Sequence, residues 1–318
     1  MTAEPVAQAQ QQNLGPPADP GSPGGYRVIP PRRVMPGLAI SWVLVAVVVG
    51  GFAWAVATAP AMEWSLVGRY LFDPVILTGL FNTIQLTFLC EALAIVSGAL
   101  VSWMLVSGNS AFRSAAHAYQ WFFRSVPELA QLIFWFNISL VFPAITIGIP
   151  FVGPAFGHLQ TNQIATPWLA AIVGIGLHEG AYLAEVFRAG VSSVGTGQRE
   201  ACQALGMGSR RTFLRIVLPQ AMWVIVPNAG SRLIGTLKIT SLASVLAIPE
   251  LLYTVESIFA RTFETIPLLL VATAWYMLCV AVLRGVQSLL ERHYAAASHR
   301  GERLGRRRAI PDVTGGAS

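Results

Sequence analysis

The strongest constraint in this sequence is a series of long apolar runs in which charge is almost absent. Gly37 to Ala59 is about 23 residues without a charged side chain, or roughly 35 Å as a helix at 1.5 Å per residue, enough to cross a hydrocarbon core. Comparable runs recur at about Val75–Val106, Ala116–Phe142, Pro167–Phe187, Pro219–Leu237 and Pro267–Leu290. Only 11% of the chain is charged and 54% is hydrophobic, with a mean hydropathy of +0.58. Soluble domains carry roughly 25% charged residues. The expected class is therefore an all-α membrane protein with six transmembrane helices.

Residues 1–36 are rich in Gln, Pro and Gly, lack an apolar period and read as a disordered head, not a secretory signal. Residues 37–59 read as a separate first helix, and 75–290 as the main membrane domain. Within it, Pro143–Ala165 is a Gly- and Pro-rich connection, and 190–218 a polar loop. Residues 291–318 form a basic tail.

Basic residues set the expected orientation. With six spans and both termini in the cytoplasm, the inner segments hold Arg27, Arg32, Arg33, Arg113, Arg188, Arg199, Arg210, Arg211, Arg215 and the tail arginines, fifteen of the 21 basic residues. The outer segments hold Arg69 and Arg261. Such asymmetry is the signature of the inner face, and it accounts for the net charge of +6 without nucleic acid. The expected location is a plasma (inner) membrane, with membrane lipid as the surrounding partner. Cys90, Cys202 and Cys279 are widely separated and have no metal or redox spacing.

The polar loop is denser in features than a simple connection requires. In Gln198–Pro219 (QREACQALGMGSRRTFLRIVLP), glycines at 206 and 208 predict a break between two short helices, with Ser209 as the cap of the second. Ala201 and Ala204 offer a small face, Glu200 and the arginines offer charge pairs, and Phe213 and Ile216 are expected to anchor the second helix to the membrane domain. A solvated basic loop and an ordered docking element both fit this composition.

Ionisable groups inside spans are the other place to look, since each costs about 2.5–3.5 kcal/mol at mid-bilayer on insertion scales. Gln85 and Glu91 fall in the second span, Glu128 in the third, and His178, Glu179 and Glu185 in the fourth. Arg232 and Lys238 lie in or at the end of the fifth and are the expected partners of these carboxylates, with Thr240 and Ser241 just beyond. Each is compatible with lining a path for a polar solute or with an inter-helix bond that fixes packing. Glu185, three residues before Arg188, reads as a structural ion pair. His178-Glu179 is not a zinc motif, because position 182 is Tyr rather than His.

Five stretches carry a family resemblance. Glu200-Ala201-Cys202, Gly206 and Ile216-x-Leu218-Pro219 resemble the EAA loop of ABC-importer permeases, with Cys202 where a second alanine is usual. Asn82-Thr83-Ile84-Gln85-Leu86-Thr87, Phe123-Arg124-Ser125-Val126-Pro127-Glu128-Leu129, Ala181–Gly190 and Leu237-Lys238-Ile239-Thr240-Ser241-Leu242 are similar to the polar-amino-acid subfamily. Together they cover about Leu77–Glu291. Two departures stand out: Ile239 occupies a frequently acidic position, and the first helix and head lie outside the usual five-helix core.

The resemblance implies a type I ABC-importer permease with no catalytic residue, metal or cofactor of its own. It implies a second permease copy or a homologous permease, a cytoplasmic ABC ATPase dimer, and an extracytoplasmic amino-acid-binding protein. It places Glu200, Ala201, Cys202, Gly206, Ile216, Leu218 and Pro219 at the ATPase contact. The chain has no G-x-x-x-x-G-K-[ST] phosphate loop, which agrees with ATP hydrolysis on a partner. The competing reading is a stand-alone secondary transporter or channel for a small polar solute. That reading calls for an internal repeat or paired broken helices, and neither is evident. A membrane enzyme would need a convergent nucleophile and base, and none is evident.

Overall fold

The structure, a computed structural model, describes residues 36–59, 62–148 and 155–307. The expected disordered head, up to residue 35, and the last eleven residues of the basic tail lie outside them. The chain divides between Ala59 and Pro60 into two units, each taken here by itself.

The described part of the first unit is one helix, α1 (Pro36–Thr58), as the charge-free run predicts. Its described side chains are exposed almost throughout, and apolar residues occupy every side. A helix of this kind has no water-facing stripe and suits hydrocarbon surroundings.

The second unit is built on two long helices. Helix α2 (Trp64–Leu71) leads to α3 (Pro74–Val106), which Asp73 caps through Val75 N–H at 2.8 Å, with Pro74 in the first turn. Helices α4 (Ser110–Ser125), α5 (Glu128–Phe136) and α6 (Ile138–Val141) then run in broken succession. A hairpin follows, with β1 (Ala144–Gly148) antiparallel to β2 (Ala155–Gln160) and Ala144 opposite Gln160. Next come the short α7 (Thr161–Ile164) and α8 (Pro167–Ser192). Small residues let α3 and α8 approach closely. A Cβ at Gly98 would stand 3.0 Å from the Gly180 carbonyl, so no other residue fits there without displacing backbone.

The polar loop forms α9 (Thr196–Ala204) and α10 (Ser209–Thr212), followed by a π-helical turn (Phe213–Val217). Pro219 has no N–H to return to the preceding turn, and Leu218 N–H reaches five residues back to Phe213 O. Helix α11 (Leu218–Ile239) passes through Pro227 and tightens into a 3₁₀ segment, Thr240–Leu246. Helices α12 (Leu251–Thr262) and α13 (Thr265–Arg307) complete the described residues.

Four helices among the described residues are long and apolar enough to cross a membrane: α1, α3, α8 and the first part of α13. Ser209–Leu246 with Leu251–Thr262 makes a fifth if this pair, bent by 46°, is one span. The sequence predicts a single span over about Ala116–Phe142, but the chain breaks there at Val126, which is extended. The cause is Pro127, which disfavours helical geometry at the residue before it and cannot donate to the turn above.

Four apolar clusters hold the described part of the main unit together, one of them Val101, Ala116 and Ala184. Another gathers Leu86, Cys90, Leu132, Ile175 and Ile248; a third gathers Ile76, Leu251, Val255 and Leu268. The fourth joins Val194, Val217, Ala221 and Ile225 beneath the polar loop.

Candidate functional site

Two regions carry the polar chemistry. In the first, α9 ends in a complete Schellman motif. Gly206 takes φ +69, its N–H reaches Gln203 O at 2.9 Å, and Met207 N–H reaches Cys202 O at 2.9 Å. No atom stands where a Cβ of residue 206 would go, so the demand for glycine comes from the backbone angle alone. The second helix starts differently from the expectation. Its cap is Gly208, and Ser209 is the first helical residue and makes no cap bond.

The two faces of α9 are distinct. Cys202 is buried against the rest of the unit, and Arg199 Nη2 fastens the helix by donating to Val191 O, 2.8 Å away in the last turn of α8. Glu200, Ala201 and Ala204 are exposed, and Leu205 is 79% exposed. Leu205 is the functional candidate that sequence reasoning missed, since an apolar residue in a mostly apolar chain carries no signal of its own. The expected anchors also change. Phe213 is exposed and Ile216 half-buried, while Val217 packs into the cluster below. The π turn sets which of these residues face inward.

The second region lies inside the helix packing. Glu179 on α8 is fully buried, and its Oε2 accepts from Arg232 Nε at 2.8 Å and Nη2 at 2.6 Å. Its Oε1 has no hydrogen-bond partner among the described residues. The Arg232 guanidinium carbon lies 4.2 Å from the centre of the Tyr182 ring, and that of Arg124 lies 4.8 Å from it, so one ring serves two cations. Glu91 on α3, also buried, accepts from Thr236 Oγ1 at 2.9 Å, one turn beyond Arg232.

His178 is the hub of a third set. Its Nε2 lies 3.1 Å from Glu128 Oε1, within ion-pair range but out of line for a hydrogen bond. Its Nδ1 faces Gln131 Nε2 at 3.2 Å. Gln131 Nε2 also reaches Phe123 O at 3.0 Å and Val126 O at 2.8 Å. These are carbonyls that the break at Pro127 leaves without helical donors. Interior backbone outside a helix is tolerated when it is satisfied in this way. In the sequence Gln131 carries no signal, because a single amide in an apolar run reads as packing.

The remaining candidates are placed as follows. Thr240 is buried and donates to Leu237 O, and Ser241 donates to Lys238 O. Gln85 and Lys238 are exposed, and Lys238 enters no ion pair among the described residues, contrary to the expected pairing with a carboxylate. Glu185 pairs with Arg188 as expected. A further acid emerges at Glu250, fully buried at the bend before α12. It caps Tyr253 N–H at 2.6 Å, accepts from Tyr276 Oη at 2.9 Å and lies 3.3 Å from Thr83 Oγ1. Thr83 in turn accepts Leu251 N–H at 2.9 Å, so one acid joins α3, α12 and α13.

Comparison with known proteins shows the family. Residues 92–295 match the family described as binding-protein-dependent transport system inner membrane component. The chain is 37% identical to an arginine transport system permease protein of Corynebacterium glutamicum over 310 residues, covering 95% of this chain and 94% of that one. It is 29% identical to a histidine/lysine/arginine/ornithine transport system permease protein of Salmonella typhimurium, covering 73% of this chain and 99% of that one. Among solved structures it resembles a chain of an amino acid ABC transporter crystallised with histidines, with a TM-score of 0.60, 25% identity, and 72% and 98% of the two chains covered. A chain of the MetNI methionine ABC transporter shares the fold at a TM-score of 0.57 and 16% identity, with 69% and 96% covered. The capped loop and the helices around it are thus those of a transport subunit rather than an enzyme, and the chain belongs to the family of inner membrane components of binding-protein-dependent transport systems.

Proposed function

We propose that this chain is the membrane-spanning permease of an ATP-driven amino acid importer, paired with a second permease and coupled to a cytoplasmic ATPase through α9. The observation that carries this reading is the α9 geometry within a family match. A short helix stopped by Gly206 and fastened by Arg199 presents Glu200, Ala201, Ala204 and Leu205 outward as a rigid unit. Small exposed residues allow close seating on a partner, and the isolated Leu205 supplies an apolar anchor at the edge. Cys202, Ile216, Leu218 and Pro219 act from behind this surface, setting the angle at which it leaves the membrane.

The broken helices α4 to α6 form a third crossing and the bent pair a fifth. With α1 this gives six spans and places both termini in the cytoplasm, in line with the arginine distribution. An extracytoplasmic binding protein delivers the substrate on the opposite side. The names of the relatives support an amino acid as that substrate, and their cationic examples make a basic side chain the first to test. Glu91, Glu128, His178, Glu179 and Arg232 are the interior polar groups that line or shape the path. Gln85, Lys238, Thr240 and Ser241 mark its outer end. The direct test is ATPase stimulation in the reconstituted complex with Glu200→Lys or Leu205→Ser. Stimulation should fall while the membrane domain stays folded, and full stimulation in both variants would remove the coupling surface.

A further inference from the structure

Phe263 is the most exposed large apolar side chain among the described residues, at 86%, and its backbone is left-handed, with φ +61. It follows the last turn of α12, where its N–H reaches Phe259 O at 2.8 Å. Glycine is the usual residue at such a helix end, because a Cβ makes the left-handed angle costly. Here the strain is kept, and the ring gains no cover from its own chain in return. Its neighbours are polar. Arg261 and Thr262 are exposed, Glu264 is half-buried, and Arg261 enters no ion pair among the described residues.

The surroundings of this ring are aqueous, not lipid. Counting back from Glu291, where α13 meets its inner charges, the roughly 20 residues that cross a hydrocarbon core end near Val271. A second mark agrees. Trp275 Nε1 donates to Leu71 O at 2.8 Å, and the Phe72 ring lies edge-on to Trp275 with centroids 5.9 Å apart. That contact sets Asp73, the charged cap of α3, near the level of Trp275. About six to ten residues of α13 therefore project past the core, roughly 9–15 Å at 1.5 Å per residue, farther than a head-group layer of about 5–7 Å. Phe263 stands at the tip of this projection, with no bilayer for the ring to enter.

We infer that Phe263, flanked by Arg261, is the anchor on which the extracytoplasmic binding protein docks, the ring entering an apolar pocket on that protein bordered by a carboxylate. The inference rests on the importer reading above, which supplies a partner on the outer side, and it adds the residue that meets that partner. Aromatic and arginine side chains dominate the energetics of protein interfaces. A strained turn that holds a ring clear of its own chain is the kind of backbone outlier that function retains. The unpaired Arg261 beside it sets the charge expected on the partner.

The test is ATPase stimulation of the reconstituted complex by rising concentrations of its binding protein. With Phe263→Gly the half-saturating concentration should rise about tenfold, the scale of losing one interface anchor, while the maximum at saturation persists. The unfolding temperature of that variant should hold or rise, because glycine adopts φ +61 freely. Phe263→Trp should respond like the unaltered chain. In nanodiscs, Phe263→Cys should react with a membrane-impermeant maleimide above the background of the unaltered chain, and added binding protein should shield it. An unchanged half-saturating concentration in Phe263→Gly would overturn the inference and leave the importer reading standing. So would a lack of labelling before binding protein is added, which would put the position in the bilayer or against the second permease, or labelling indifferent to the binding protein. No stimulation of the unaltered complex at any concentration would remove the importer reading, and the inference with it.

Discussion

Arg232 places two nitrogens, Nε and Nη2, on a single oxygen of Glu179, at 2.8 and 2.6 Å, in a setting where Glu179 has no exposure at all. The pair joins α8 to α11, the two helices that flank the polar loop. It ties the position of the loop to the interior of the helix packing, because any displacement of α11 must carry Arg232 with it or strand a buried carboxylate.

Breaking this pair from one side should therefore be costly. Arg232→Met leaves Glu179 buried without its cation, and such losses run to about 3–5 kcal/mol. Adding Glu179→Gln removes the stranded charge and should recover part of that stability. Unfolding of the two single variants and the double variant measures the coupling. Simple additivity would show that the two side chains act independently.

Gly206→Ala tests the end of α9. The left-handed backbone at φ +69 costs a residue with a Cβ about 1–2 kcal/mol. Because the position faces open space, the expense falls on loop conformation, not on packing. The variant should insert and assemble normally while ATPase stimulation by the binding protein declines.

Gln131→Leu should weaken the break between α4 and α5. It removes the donor to Phe123 O and Val126 O, and a buried acceptor left unsatisfied costs about 1–3 kcal/mol. Thermal unfolding should shift downward, and restoring helical continuity by Pro127→Ala in the same chain should offset part of the loss. An unaltered unfolding temperature in Gln131→Leu would show that other donors reach these carbonyls.

Glu250→Ala should loosen the bend before α12. It removes the cap on Tyr253 N–H and the bond from Tyr276. Loss of a cap alone costs about 0.5–2 kcal/mol. Tyr276→Phe should reproduce a smaller part of the effect, and protease sensitivity between Leu246 and Leu251 is a direct readout.

Much of this architecture could be read from residue order, because a bilayer turns hydropathy into element length. The run without charge over Gly37–Ala59 became α1, and the Gly206 break became a Schellman motif. Glu185 and Arg188 met because three residues along a helix bring side chains together. What escaped notice depended on contacts distant in sequence. The amide of Gln131 acquires its role only when Val126 and His178 surround it. In the sequence Glu250 reads as an interruption of an apolar stretch, and it is a junction because Thr83 and Tyr276 arrive from 167 and 26 residues away. Lys238 was expected to meet a carboxylate, but at the end of α11 it points to the exposed side while Arg232, nearly two turns earlier, meets Glu179.

The most direct test of the proposed function is uptake of labelled arginine, histidine and glutamine into proteoliposomes that hold the permease pair, its ATPase and its binding protein. Uptake of one of these amino acids should require internal access to ATP and the external binding protein together, and should fall at least several-fold with Gly206→Ala. Flux through the purified chain alone, driven by an ion gradient and indifferent to ATP, would contradict it.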